Sequence, residues 1–188
     1  MLNPRLGTLV AMIVMAAATR LLPHPPNMTA MTALALFGGA FFADKRLAFA
    51  LPLAVLLISD LVLGLIWSWS PMAVGPHMEV QYVAFAMIVG LGFTMRQNHG
   101  VVRTGVTAVL ASLLFFVVSN LGTWAFESLY PKTFGGLVEC YVAAIPFWRN
   151  TLTGDLLYTA VLFGGFQLLE RKFETLRAPE AERLALAE

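Results

Sequence analysis

Apolar positions along the chain fall into long unbroken runs, separated by short clusters of proline, glycine and charge. A helix crossing the hydrocarbon core of a bilayer needs about 20 mostly apolar residues, with roughly 17 as the short limit. Six runs reach or closely approach that length, at approximately 6–22, 27–43, 46–68, 80–95, 104–126 and 150–170. Pro23, Pro25 and Pro26 close the first connection, and Asp44, Lys45 and Arg46 form a tight turn after the second run. Ser70-Pro71 and Gly75-Pro76 mark a longer loop before the fourth run, and Arg96 to Gly100 follows it. The stretch from Glu127 to Arg149 is the longest connection; its apolar middle, Gly135 to Phe147, is too short to span and holds Pro146, which predicts a re-entrant or surface-lying piece. After Glu170 the chain turns polar, so residues 1–170 read as a transmembrane domain and 171–188 as a polar helical tail broken near Pro179. Arg5 ahead of a run ending in Ala16-Ala17-Ala18 has the outline of a signal peptide, but the run continues through Leu22 and is read as a retained span.

Composition supports the membrane assignment: 59% of the 188 residues are apolar and only 12% charged, where soluble domains carry roughly a quarter charged. A net charge of +1 leaves no basic stripe for nucleic acid. The single cysteine makes no internal disulfide and builds no cysteine-based zinc site alone. Lys and Arg accumulate on the cytoplasmic side of membrane proteins. With the N-terminus inside, Arg5, Lys45, Arg46, Arg96, Arg103, Arg171, Lys172, Arg177 and Arg183 fall inside, against Arg20, Lys132 and Arg149 outside. The expected fold is therefore an all-α integral membrane protein of six transmembrane helices with both termini cytoplasmic.

Polar residues within the runs sit toward the outer side: Asp60, Asn120 and Asp155, with Arg20 closing the first run and Arg149 opening the last. Ionisable groups in a span are costly and normally face a partner or a wet cavity. Pairing of Arg20 and Arg149 with Asp60 and Asp155 would serve structure alone, and at least one such pair is expected. The outer connections also concentrate Trp67, Trp69, Met72, His77, Met78, Tyr82, Trp124, Tyr130, Tyr141 and Trp148, whereas the inner connections carry no Trp or Tyr. An interfacial belt would appear on both faces. The asymmetry points to a flat, partly apolar ligand held by aromatic walls and a few polar groups, among which His24 and Asn27 also fall. No phosphate-binding loop, nucleophile elbow, H-E-x-x-H or C-x-x-C motif occurs, and the chain is not expected to be an enzyme. The alternative is a membrane-embedded enzyme acting through Asp60, Asp155 and His77.

Six runs in under 200 residues, an outer binding face and a first run with few large residues on one side resemble the substrate-binding S-component of energy-coupling factor (ECF) transporters. The stretches Pro25 to Ala40 (PPNMTAMTALALFGGA), Ile58 to Gly64 (ISDLVLG) and Tyr141 to Asp155 (YVAAIPFWRNTLTGD) resemble its BtuM-like cobalamin branch. The resemblance implies the substrate-binding subunit of an ABC importer in the bacterial inner membrane, with its site facing the periplasm. The bound substrate would be cobalamin or a related corrinoid, with no cofactor of the protein's own. Partners would be a transmembrane coupling subunit and two ATPase subunits. Another flat vitamin or heterocycle precursor is the alternative ligand. In that branch a cysteine before the fourth span ligates cobalt; here the loop holds His77 and Met78, and the cysteine, Cys140, lies in the last outer connection. Imidazole suits cobalt and thiolate also binds it, so His77 is the expected axial ligand and Cys140 the alternative. The family's A-x-x-x-A spacing in the first helix is replaced by Gly7-x-x-x-Ala11.

Overall fold

The structure is a computed structural model that describes residues 3–66 and 76–187, without the side chains of 76–78 and 187. The described residues are helical and contain no strand. Helix α1 is Pro4–Ala18, continued by a 3-10 turn at Thr19–Leu21. Helices α2, α3, α4 and α5 are Met31–Phe41, Lys45–Ile66, Pro76–Phe93 and Val101–Phe126. Helix α6, Phe134–Thr159, passes through a π-helical turn at Ala160–Gly164 into α7, Gly165–Lys172. A 3-10 turn at Glu174–Leu176 and helix α8, Glu180–Ala187, complete the chain.

Local chemistry explains the starts. The Asn3 side chain accepts from the Arg5 amide and Pro4 occupies the first turn of α1, where its missing N–H is not needed. Asp44 accepts from the amides of Arg46 (2.7 Å) and Leu47 (3.3 Å), so the expected turn is the cap of α3. Thr133 caps α6 by accepting from Gly136 at 3.2 Å.

Four helices are long and apolar enough to cross a membrane: Pro4–Leu21, Lys45–Ile66, Val101–Phe126 and Phe134–Lys172. Helix α2 and the apolar part of α4, Glu79–Phe93, are shorter. Every residue of α2 is buried, and at 11 residues it rises only about 16 Å. It is the hub of the bundle. Phe37 and Phe41 meet Phe163 and Phe166 at ring separations of 4.9–5.9 Å, closing α2 onto the π-turn and α7. Outward faces of α3 and α5, by contrast, expose Leu57, Ile58, Leu61, Val109, Leu110, Leu113 and Val117. A soluble protein rarely exposes apolar surface on that scale, and lipid is the solvent it suits.

The connection before the last span differs from expectation. Gly135 to Phe147 is not a separate piece; it is the first half of α6, which runs unbroken through Pro146. Length and an internal proline suggested an interruption, but helices packed in lipid tolerate proline because neighbours satisfy the freed carbonyl. The connection shrinks to residues 127–133. The tail folds back onto the bundle. Arg5, only 2% exposed, donates to Glu170, to the Leu176 carbonyl (2.6 Å) and to Glu182 (3.0 Å), binding α7 and α8 to the start of α1.

Candidate functional site

Neighbouring helices alternate in direction, which brings the end of α1, the start of α2, the start of α4 and the end of α5 to one end of the bundle. A cavity of about 290 Å³ opens there, flanked by the middle of α6. Phe85, Phe115, Phe116, Phe147 and Trp148 form its apolar wall, and Arg20, Asn27, Gln81, Asn120 and Thr151 face it with polar groups. The Trp148 indole packs against Phe116 at 5.3 Å between ring centroids, and its Nε1–H is buried without an acceptor. A buried indole N–H normally finds one.

Arg20 is held from two sides. Its Nη1 lies 2.7 Å from Asp60 Oδ1 and also donates to Ser59 Oγ, while the Tyr82 hydroxyl donates to Asp60 Oδ2 at 3.2 Å. This chain of contacts joins the end of α1 to α3 and α4, so the expected Arg20–Asp60 pair is present. Arg149 and Asp155 do not pair: Arg149 is exposed, and Asp155 is 1% exposed in the core. Neither carboxylate oxygen of Asp155 makes a hydrogen bond, although the Thr32 and Ser112 hydroxyls are its neighbours. Thr151 and Thr159 lie one helical turn to either side of Asp155. Asp155 does not line the cavity, although its neighbour Thr32 does.

Asn27 anchors the loop between α1 and α2. Its φ of 63° lies in the left-handed region, which Asn tolerates better than other side chains. The Asn150 side chain donates to the Pro26 carbonyl at 3.0 Å, and a Cβ at Gly154 would touch Met28 at 3.2–3.3 Å, so α6 clamps this loop from outside.

Of the residues expected at a site, Arg20, Asn27 and Asn120 line the cavity, and Asp60 and Tyr82 stand behind Arg20. Trp124 and Tyr141 donate to the backbone carbonyls of Pro131 (3.0 Å) and Val117 (2.7 Å), and neither lines the cavity. His24 is exposed, its ring against the Pro25 carbonyl. Cys140 is buried, with its Sγ 3.5 Å from the Asn120 carbonyl oxygen. No cluster of three His, Cys, Asp or Glu side chains able to hold a metal occurs among the described residues. Trp67, Trp69 and Met72 lie outside the described residues, as do the side chains of His77 and Met78. Sequence reasoning passed over Gln81, Ser119, Thr123 and Thr151. Ser119–Thr123 and Thr151–Asp155–Thr159 are spaced by four, and that spacing was the available signal.

The chain belongs to a family of unknown function, DUF6580, whose model matches residues 1–178. No curated protein and no solved structure matches it.

Proposed function

We propose that this DUF6580 member is a multi-pass membrane protein that binds a flat, partly apolar nutrient at the outer end of its bundle, as the substrate-binding subunit of an ECF-type importer. The supporting observation is a cavity walled by phenylalanines and by Trp148, whose buried Nε1–H has no acceptor, and edged by Arg20, Asn27 and Asn120. An aromatic slot with one unsatisfied donor suits a heteroaromatic ring that offers an acceptor. At about 290 Å³ the cavity has the size of a small ligand pocket and favours a one- or two-ring heterocycle. Cobalamin, the substrate implied by the sequence resemblance, is larger than the cavity and needs further walls; it stands as the second reading, with His77 as its axial ligand.

Six spans, both termini in the cytoplasm and a site facing the periplasm of a bacterial inner membrane complete the proposal. The charge bias and the alternating helix directions support it, with α2 crossing only as part of the protein interior. The coupling subunit would dock on the face of α1 where Gly7, Ala11 and Ala18 are exposed, with the two ATPases beyond it. Binding is favoured over catalysis because Asp60 is engaged by Arg20 and Asp155 is closed off.

Protein purified in detergent should bind members of a panel of flat heterocyclic vitamins and precursors saturably, read by quenching of tryptophan fluorescence. Trp148→Phe keeps the ring stack and removes the donor, and should weaken binding by about tenfold with an unchanged melting temperature. Cobalamin joins the panel with its visible spectrum as readout, and a band shift in His77→Ala would support axial ligation. If no panel member and no corrinoid binds, the proposal fails.

A further inference from the structure

The opposite end of the bundle holds a larger cavity, about 530 Å³, where the start of α1, the end of α2, the turn after α4 and the chain from α7 to α8 converge. Five guanidiniums line it: Arg5, Arg96, Arg171, Arg177 and Arg183. Two of them are answered within the protein. Arg5 is paired with Glu170 and Glu182, and Arg177 with Glu174 at 3.2 Å. The other three make no ion pair with a described residue, and Glu170 is the carboxylate that lines the cavity with them.

Arg96 is the informative one. It is 6% exposed, its Nε and Nη2 donate to the carbonyls of Gly39 (3.2 Å) and Phe42 (2.9 Å), and its face covers the Phe93 ring at 4.2 Å. Its Nη1 is buried with no acceptor. Beside it, His99 stacks on Phe41 at 4.5 Å and its Nδ1 is likewise buried without a partner. A buried guanidinium with an orphan donor costs stability unless an anion completes it. Lys45 and Arg103 line an adjoining cavity that shares Arg96, so the positive field continues past it. Phosphate oxygens match this donor set, since guanidinium forks bind them with charge-assisted hydrogen bonds. Basic pockets between helix ends at a membrane surface take phospholipid headgroups by the same chemistry.

We propose that this cavity binds a phosphate-type oxyanion, presented by an anionic phospholipid headgroup or free in solution, with Arg96, Arg171 and Arg183 as its ligands. The cavity volume exceeds that of the oxyanion and accommodates an attached organic moiety. Both sources share the same contacts.

The test uses the delipidated full chain in neutral detergent. Its melting temperature is followed against phosphatidylglycerol in mixed micelles, with phosphatidylcholine as control, and against inorganic phosphate, with chloride at equal ionic strength. Arg96 also holds α2, so the test variant is the exposed pair Arg171→Gln with Arg183→Gln, which leaves that contact intact. A saturable upward shift is expected in the wild type, with its midpoint weakened about tenfold in the double variant. A shift with phosphatidylglycerol alone assigns the site to lipid, and a shift with phosphate as well assigns it to the free oxyanion. No saturable shift in either arm, or equal midpoints in wild type and double variant, overturns the proposal. The melting temperature without added lipid or phosphate serves as control and should be the same in both proteins.

Discussion

Gly39 and Gly92 are where α2 and α4 come closest, and no side chain fits between them. A Cβ at Gly92 would lie 2.5 Å from the Leu36 carbonyl oxygen and 2.9 Å from the Gly39 Cα, both backbone atoms that cannot move alone. Gly92→Ala is therefore expected to destabilise by about 1–3 kcal/mol, as overpacking does, and to lower the melting temperature in detergent. Gly7→Ala, with open space around the Cβ, is the neutral control. Asp155 makes the opposite case. Its buried carboxylate has no hydrogen bond, and such a group is a net cost. Asp155→Asn should leave the melting temperature unchanged or raise it; a fall of several degrees would show that the carboxylate itself has a task. The run of Thr151, Asp155 and Thr159 could be read from spacing, but Ser112 and Thr32 reach it from α5 and α2, and no local pattern announces that meeting.

Among elements, the tail and the turn after α4 respond to change through Arg5 and His99. Removing Arg5 leaves Glu170 and Glu182 without their partner and frees the Leu176 carbonyl. Arg5→Ala should release residues 173–187, read as faster proteolysis within that stretch while the bundle stays intact. Burial, with Arg5 and Arg103 nearby, pushes the His99 imidazole down from 6.5 to about 4. Between those two values the unfolded chain binds a proton that the folded chain refuses, so stability rises with pH across the window. It is lost as pH falls from 6.5 toward 4 and is fully present above 6.5. His99→Phe preserves the stack on Phe41 and should flatten this part of the pH–stability profile, measured by thermal unfolding. The segment 135–147 is instructive here. Its length and Pro146 argued against a spanning helix, and the structure resolves the conflict by continuing the helix to Lys172 through a π-turn.

For the molecule as a whole, the two ends differ in kind. One end carries aromatic walls, amides and a single ion-paired arginine; the other carries unpaired guanidiniums around a larger cavity. That polarity was legible from composition. Unbroken apolar runs announce helices because a helix satisfies its own backbone in the bilayer, whereas barrel strands would alternate apolar and polar positions, and the positions of Lys and Arg distinguish the two faces. The Arg20–Asp60 pair was likewise foreseeable, since two opposite charges near one face have few other partners. Which aromatics face a ligand was not. Trp124 and Tyr141 have the same composition signal as Trp148, yet they donate to backbone carbonyls and do not line the cavity, whereas Trp148 lines it and its buried Nε1–H has no acceptor. The folding of the tail onto Arg5 was also hidden, because a pairing across 165 residues leaves no trace in local sequence. Hydropathy and charge act along the chain and can be read there. Cavities, orphan donors and long-range pairs arise from helices brought together in space, and they exist once packing has chosen which faces meet.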